Sequence, residues 1–119
     1  MSGRIAGVLA MVFAGLMSGN GVADALPAPC ERGEMCVWDA EWFRGVPERV
    51  SLETVNPGEC VPLSEGFVGR SFANRMRQPV TVYQGPACDT EGEFDTYPGG
   101  GTYVPEAPFV VRAVVVWEG

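Results

Sequence analysis

Histidine and lysine are both missing from this sequence, and the lack of histidine excludes most catalytic sites open to a small protein. Without an imidazole there is no base for a Ser-His-Asp or Cys-His site, and no Cys/His zinc site can form. A phosphate-binding glycine loop that leads into a helix is missing too. The sequence therefore predicts a protein that is not an enzyme and carries no cofactor.

Positive charge is scarce as well, since 8 basic residues, all of them arginine, stand against 15 acidic ones. The net charge of −7 repels phosphate backbones, so we expect no nucleic-acid partner. The acids that alternate over residues 89–95 could share a cation or form the wet face of a strand, and we favour the wet face. Paired carboxylates can form a glycosidase site, but a domain this small leaves little room for a substrate cleft.

Long apolar runs are limited to the N-terminus. Arg4 precedes an apolar stretch over residues 5–17, and Ala23-Asp24-Ala25 follows it. A membrane anchor is the alternative, but a membrane span needs roughly 20 apolar residues. A basic start, a short apolar core and an Ala-x-Ala site are typical of a secretory signal peptide. We therefore expect cleavage after Ala25, with a secreted, extracellular domain over residues 26–119 that makes no membrane contact.

Helical periodicity is rare in the rest of the chain. Short β-branched or aromatic runs between Gly and Pro indicate strands and turns. The predicted strands cover residues 35–38, 49–52, 71–75, 80–83, 93–97, 101–104 and 109–117. Alternation in residues 80–83 and 93–97 predicts one buried and one wet face there. Many short strands with regular turn signals indicate an all-β sandwich or barrel.

Four cysteines are present, all after the cleavage site: Cys30, Cys36, Cys60 and Cys88. An even number in a small exported domain indicates two disulfides, because so small a core is marginal without covalent staples. Of the three possible pairings we favour Cys30–Cys36 with Cys60–Cys88, since the short first loop closes at low entropic cost. A metal-thiolate site is the alternative, but no Cys-x-x-Cys pair is present, so we expect no metal.

A faint internal repeat divides the mature chain. Trp38 and Tyr83 each open a unit in which a Val-x-Arg segment follows. Arg70 comes 32 residues after Trp38, and Arg112 comes 29 residues after Tyr83. Two half-domains, each a small Greek key that packs its apolar face on the other, would explain this repeat.

An aromatic hairpin motif carries a family resemblance. Trp38 is followed five residues later by Phe43 and then by x-Gly45, which resembles the βγ-crystallin signature. In that signature the aromatics pack a folded hairpin, and the glycine adopts a backbone conformation closed to residues with a Cβ. The order of the surrounding segments resembles the secreted streptomycete-type metalloproteinase inhibitors: Cys30-x5-Cys36-x-Trp38, Cys60, Ser71-Phe72-Ala73-Asn74, Val80-Thr81-Val82-Tyr83 and Cys88.

This resemblance covers the whole mature chain. It implies a βγ-crystallin-like sandwich or barrel of two Greek-key motifs, stapled by two disulfides. It also implies inhibition of extracellular zinc endopeptidases of the thermolysin-like kind, and we expect the inhibitor to be a monomer. Calcium-binding crystallins carry acidic or amide residues and a hydroxyl where this chain has Gly66, Phe67 and Arg70, so calcium ligands are not supplied.

Two loops are candidates for the inhibitory site. Inhibitors of this family place the reactive bond just after a cysteine in a small disulfide loop, and position matches that bond to Cys88-Asp89. Thermolysin-like enzymes prefer an apolar residue directly after the cleaved bond, and Asp89 is charged. Cys60-Val61 supplies an apolar residue at that position. The alternative is that this segment is only the end of a strand that leads into a turn. We expect a disulfide-constrained loop to block the cleft, and we favour Val61.

The three tryptophans suggest further possibilities. Trp38 and Trp117 are expected in the core, whereas Trp42, beside Phe43, is the best candidate for an exposed aromatic. One alternative function is therefore a carbohydrate or cell-wall binding module that uses Trp42. Another is a βγ-crystallin-like structural or stress protein without inhibitory activity.

Overall fold

Eight short strands form most of the regular structure of residues 30–119, the part of the chain described by a computed structural model. They are β1 (Met35–Trp38), β2 (Glu48–Val50), β3 (Cys60–Pro62), β4 (Ser71–Asn74), β5 (Val80–Tyr83), β6 (Phe94–Tyr97), β7 (Thr102–Val104) and β8 (Ala113–Val116). A 3-10 turn, Glu41–Phe43, lies between β1 and β2. The expected signal peptide at residues 1–25 lies outside the described residues. From residue 30 onward, no helix is long and apolar enough to cross a membrane.

The strands pair antiparallel in two four-stranded sheets. Sheet A has the order β2-β1-β4-β7, and sheet B has the order β3-β8-β5-β6. Each sheet therefore holds three strands from one half of the chain and one strand, β7 or β3, from the other half. Because of this exchange, the halves cannot separate without breaking a strand pair in both sheets. The expected all-β fold with two disulfides is confirmed.

Apolar side chains fill the space between the sheets. In β1, Met35 and Val37 belong to this central core, whereas the alternate residues Cys36 and Trp38 belong to a separate cluster on the outer face. The central core is completed by buried residues from both halves: Val50, Leu63, Phe72, Met76, Val80, Val82, Val111, Val114 and Val116. Each large apolar side chain buried in this way contributes roughly 1.5–3 kcal/mol, so this layer is the main stabilising element of the fold.

The outer face of sheet B is covered too. All four residues of β5 are buried, so the alternation predicted for residues 80–83 is wrong. Tyr83 packs in an outer cluster with Ala113 and Val115, and Thr81 Oγ1 accepts a hydrogen bond from the Trp117 indole N–H at 2.7 Å. β6, by contrast, is an edge strand whose first three residues are all exposed, so the alternation predicted there is wrong as well.

Most strands lie where the sequence predicts them. β1 and β5 have the predicted bounds, and the other five predicted strands are present but shorter. β3 has no counterpart among the predicted strands, because a three-residue edge strand that ends in Pro62 gives little periodic signal. Trp38 is buried as expected, with 2% of its surface exposed, but Trp117 lies just beyond β8 and is 39% exposed, so its expected place in the core is wrong.

The internal repeat corresponds to a repeated pattern of backbone hydrogen bonds in the two halves of the chain. The Arg70 N–H donates to the Trp38 carbonyl at 2.8 Å, and the Arg112 N–H donates to the Tyr83 carbonyl at 2.8 Å. Gly69 and Val111, which precede the two arginines, exchange a reciprocal pair of hydrogen bonds of 2.8 and 2.9 Å where the halves meet. Equivalent positions in the two halves can therefore be compared directly.

Candidate functional site

Two hairpin loops lie over the outer faces of the two sheets. The first hairpin loop, residues 39–47, connects β1 and β2, and the second, residues 84–93, connects β5 and β6. Phe43 follows the last residue of β1 by five positions, and Cys88 follows the last residue of β5 by five positions. Both have left-handed backbones, with φ of 60° at Phe43 and 58° at Cys88. These two residues are therefore structural equivalents.

The first hairpin loop is held by an aromatic contact and a serine. The Phe43 ring packs edge-on against Trp38, with 5.2 Å between ring centroids. The Phe43 N–H donates to Ser71 Oγ at 3.0 Å, and the Ser71 hydroxyl donates to the Ala40 carbonyl at 2.6 Å. Gly45 has φ of 92°, so the expected glycine-specific conformation is confirmed.

We expect the Ser71→Ala variant to lose about 1–3 kcal/mol of unfolding free energy. Ser71 is fully buried, and the change leaves the Phe43 N–H and the Ala40 carbonyl without their partner. Urea denaturation followed by fluorescence measures the loss. Ser64→Ala, at an exposed serine, is the control and should stay within about 0.5 kcal/mol of the parent. Equal stability of the two variants would contradict the serine clamp.

The second hairpin loop is held covalently instead. Ala113 occupies the position equivalent to Ser71, directly after the repeat arginine, and it has no hydroxyl. Cys88 packs against Tyr83, Ala113 and Val115, where an aromatic ring packs in the first half. Its disulfide to Cys60 joins the loop to β3, and Cys30–Cys36 forms the other disulfide. The favoured cysteine pairing is therefore confirmed, and the second disulfide takes over the role of the serine and the aromatic.

Hydrogen bonds join the first and last residues of the second hairpin loop. The Gln84 N–H donates to the Glu93 carbonyl at 2.9 Å, and the Glu93 N–H donates back to Gln84 Oε1 at 3.2 Å. The Arg112 guanidinium donates to the Gln84 carbonyl at 3.3 Å, which ties the loop to the start of β8. Gln84 and Arg112 were not among the residues that sequence reasoning selected for this site. For Arg112, the one sequence signal is its place in the internal repeat, where it is equivalent to Arg70.

Asp89 stabilises the loop from within. Its Oδ1 accepts the N–H groups of Glu91 at 3.2 Å and Gly92 at 3.4 Å. The carboxylate also lies directly over Gly85, where an added Cβ would come within 2.8 Å of Asp89 Oδ2. The side chain of Asp89 is therefore exposed but turned back onto its own loop.

The second hairpin loop and the start of β6 are strongly acidic. Asp89, Glu91, Glu93 and Asp95 are all exposed, and residues 84–97 contain no arginine. Their exposure agrees with the predicted wet face, but only Asp95 lies in a strand, so the prediction that all four acids lie on one face of a strand is wrong. Burial, followed by the charge of Asp95 and a hydrogen bond to it, raises the pKa of Tyr97 above its usual value of 10.0, so this phenol stays neutral.

Val61 lies in a different setting from Cys88. It is the central residue of β3 and pairs with Val114 of β8. Its side chain is half-buried and packs against the central core. Cys60, next to it, is exposed. The structure thus brings all four candidate inhibitory residues to one disulfide, but only Cys88 and Asp89 lie in a loop.

One group of side chains within residues 30–119 has the residue types of a metal site. Cys30, Glu34 and Cys36 have ligand atoms within 4.8 Å of one another. Both sulfurs belong to the Cys30–Cys36 disulfide, so neither is a thiolate that could bind a metal. This group therefore has no metal-binding chemistry.

Trp42 projects from the tip of the first hairpin loop. It is 54% exposed, as expected for the exposed aromatic candidate. Its φ of 62° is left-handed, and its N–H donates to the Pro105 carbonyl at 2.8 Å, which fixes the backbone beside β7. A non-glycine residue in this conformation is uncommon and adds strain of order 1–3 kcal/mol.

Comparison with known proteins gives one match. A family model described as peptidase inhibitor family I36 matches residues 23–95, which is more than half of the chain. The matched range includes both disulfides and both hairpin loops. No curated protein and no solved structure matches the chain.

Proposed function

The chain belongs to peptidase inhibitor family I36, and on this premise we propose that it blocks the cleft of an extracellular metallopeptidase with its second hairpin loop. A peptidase inhibitor role follows from the family, and so does a peptidase as partner. The thermolysin-like class of the target rests on the resemblance of the cysteine and aromatic pattern to streptomycete-type inhibitors. The observation that carries the choice of loop is the disulfide that fixes Cys88 in an exposed hairpin.

Rigidity supports this loop as the inhibitory element. An inhibitor gains affinity when its contact loop is already ordered, because binding then removes little conformational freedom. The Cys60–Cys88 disulfide, the paired hydrogen bonds between Gln84 and Glu93, and the Arg112 guanidinium together hold residues 84–93. Among the connections between strands within residues 30–119, this is the one that a disulfide anchors.

The position of Val61 argues against it as the residue that enters the peptidase. Its backbone is paired within sheet B, and its side chain contributes to the central core. Presenting Val61 to a partner would require β3 to leave the sheet and would expose apolar surface. We therefore propose the second hairpin loop in place of the Val61 site that the sequence favours.

The geometry of Asp89 removes the chemical objection to this loop. A carboxylate inserted into an apolar pocket would be destabilising by several kcal/mol. Asp89 instead accepts hydrogen bonds from the Glu91 and Gly92 N–H groups, so its carboxylate stabilises the loop conformation. The exposed residues Pro86, Ala87 and Thr90 are then the ones that approach the peptidase.

Fold and location complete the proposal. The exchange of β3 and β7 between the sheets fits a βγ-crystallin-like arrangement of two Greek-key motifs. We propose that residues 1–25 are a signal peptide and that residues 26–119 are secreted as a monomeric, non-enzymatic domain. Two disulfides are compatible with an extracellular location, where such bonds persist.

The proposal is tested with the mature protein, residues 26–119, and a panel of purified peptidases from the metallo, serine, cysteine and aspartic classes. We expect competitive inhibition of a thermolysin-like metallopeptidase, with an inhibition constant below about 1 μM, which corresponds to roughly 8 kcal/mol of binding free energy. Inhibition of serine or cysteine peptidases alone would reject the metallopeptidase target. Loss of all inhibition at micromolar protein would reject the inhibitor function.

A further inference from the structure

The first hairpin loop presents a rigid aromatic surface that inhibition by the second loop does not use. Trp42 is 54% exposed and Tyr103, on the edge strand β7, is 52% exposed. Phe43, the residue after Trp42, packs its ring edge-on against Tyr103 at 5.9 Å and against the buried Trp38 at 5.2 Å. The aromatic surface, defined as Trp42, Phe43 and Tyr103, is therefore supported from beneath by a buried ring.

A small pocket opens beside the aromatic surface. Its volume is about 190 Å³, and it is lined by Glu41, Gly69, Arg70, Ala107, Phe109 and Val110. Glu41 directly precedes Trp42 in the 3-10 turn. Residues 105–107 contact both sides, because the Pro105 carbonyl accepts from the Trp42 N–H and the Ala107 N–H donates to the Arg70 carbonyl, so the pocket lies next to Trp42. This volume is below the roughly 300–1,000 Å³ of pockets for drug-sized molecules and suits a group about the size of one sugar ring.

The charged groups of this pocket are free to bind a ligand. Arg112, the equivalent of Arg70 in the second half, donates its guanidinium to the Gln84 carbonyl of its own hairpin. Among residues 30–119 the only ion pair joins Arg49 and Glu34, so Arg70 and Glu41 are not paired with each other. The pocket therefore offers one hydrogen-bond donor group and one acceptor group with no net charge.

These features decide what kind of ligand fits. Two half-exposed aromatic side chains, at about 150–250 Å² each when fully buried, fall well short of the roughly 800 Å² per partner that a stable dimer buries. Zero net charge disfavours a nucleic acid or an anionic polymer. A neutral sugar matches, because the apolar face of a pyranose ring stacks on an indole while its hydroxyls bond to a carboxylate and a guanidinium.

We propose that Trp42, Tyr103, Glu41 and Arg70 form a binding site for a neutral pyranose polysaccharide. Trp42 stacks on one ring, Glu41 accepts hydrogen bonds from its hydroxyls, and Arg70 donates to them. The aromatic surface lies over the outer face of sheet A and the pocket lies beside the Gly69–Val111 junction, whereas the second hairpin loop lies over sheet B. The protein can therefore be retained on an insoluble polysaccharide with its peptidase-binding loop still accessible.

The experiment is a retention assay of the mature protein on microcrystalline cellulose and on chitin beads, with elution by soluble oligosaccharide of the same kind. We expect the parent to be retained on at least one of the two polymers. Trp42→Ala should bind about tenfold more weakly or worse, since it loses the largest apolar contact. Trp42→Tyr should restore part of the retention, because it keeps an aromatic face, and Glu41→Gln should weaken it.

Trp117→Ala is the matched control, because it removes another partly exposed indole that lies beyond β8. It should be retained like the parent. Trp42→Gly tolerates the left-handed backbone at this position and should be as poorly retained as Trp42→Ala, which separates ring loss from misfolding. Failure of the parent to bind either polymer, or equal retention of Trp42→Ala and Trp117→Ala, would overturn the site. Loss of peptidase inhibition in Trp42→Ala would likewise overturn it in favour of a protein partner.

Discussion

The double variant Cys60→Ser with Cys88→Ser should inhibit the target peptidase at least about a hundredfold more weakly than the parent. Without the disulfide, nothing covalent holds Cys88 in its left-handed conformation or the second hairpin loop against β3. The loop must then be ordered at the moment of binding, and a hundredfold corresponds to about 2.7 kcal/mol of that ordering free energy. Inhibition constants measured at equal concentrations of folded protein test this expectation.

The same variant should also be less stable. The disulfide closes a loop with a sequence separation of 28, and a loop of that length contributes about 3–4 kcal/mol in the chain-entropy description. Denaturation in urea measures this loss. It also gives the conditions under which the variant remains folded for the inhibition assay.

The other disulfide supplies a matched control. Cys30–Cys36 closes a loop with a sequence separation of 6 and lies in the outer cluster of sheet A. Cys30→Ser with Cys36→Ser should lose about 2 kcal/mol of stability but keep the inhibition constant of the parent. If the two double variants lose inhibition equally, the disulfides act only on global stability, and the second hairpin loop is not specifically the inhibitory element.

Asp89→Leu should weaken inhibition roughly thirtyfold. The change removes the acceptor of the Glu91 and Gly92 N–H groups. Two such hydrogen bonds together stabilise the loop conformation by about 2 kcal/mol, which corresponds to a thirtyfold change in the inhibition constant. Overall stability should change less than inhibition does, because the loop is exposed and water can reach both N–H groups. The inhibition constant and the urea midpoint, measured on the same preparation, separate the two effects.

Two further variants distinguish shape from charge at this position. Asp89→Asn keeps an oxygen acceptor without the negative charge and should inhibit within about threefold of the parent. Glu91→Leu removes an equally exposed carboxylate from the same loop and should also change little. An Asp89→Leu variant that inhibits as well as or better than the parent would show that the target binds this side chain in an apolar pocket, as the sequence pattern alone suggests.

Much of the fold could be predicted from the sequence, because its signals are local. Apolar β-branched runs between Pro and Gly give the strands β1 and β5 with the observed bounds. The sequence separation of the cysteines was enough to favour the observed pairing. The resemblance of the Trp38–Gly45 segment to the βγ-crystallin signature implies the left-handed backbone that Gly45 has.

Features that depend on contacts between distant segments could not be predicted. Thr81 and Tyr83 have the alternation of a half-wet strand, yet both are buried, because the segments around Trp117 and Cys88 cover them. Nothing in the residues next to Ser71 indicates that its hydroxyl holds a loop 28 positions earlier in the chain. These contacts arise from the way the two halves pack.

The choice of inhibitory loop depended on the same kind of information. By residue chemistry, Val61 fits an apolar pocket and Asp89 does not. In three dimensions Val61 is committed to sheet B and the central core, while Asp89 is bonded within an exposed loop. Both candidates lie beside the Cys60–Cys88 disulfide, whose pairing the sequence favours and the structure confirms.

Amide hydrogen exchange of the mature protein, alone and bound to a metallopeptidase that it inhibits, tests the central claim most directly. The inhibitory role of the second hairpin loop predicts that slowed exchange on binding is concentrated in residues 84–93 and the adjoining β3. The first hairpin loop, residues 39–47, should exchange at the same rate in both states. Protection confined to residues 39–47, or no change in residues 84–93, would contradict the assignment of the inhibitory loop.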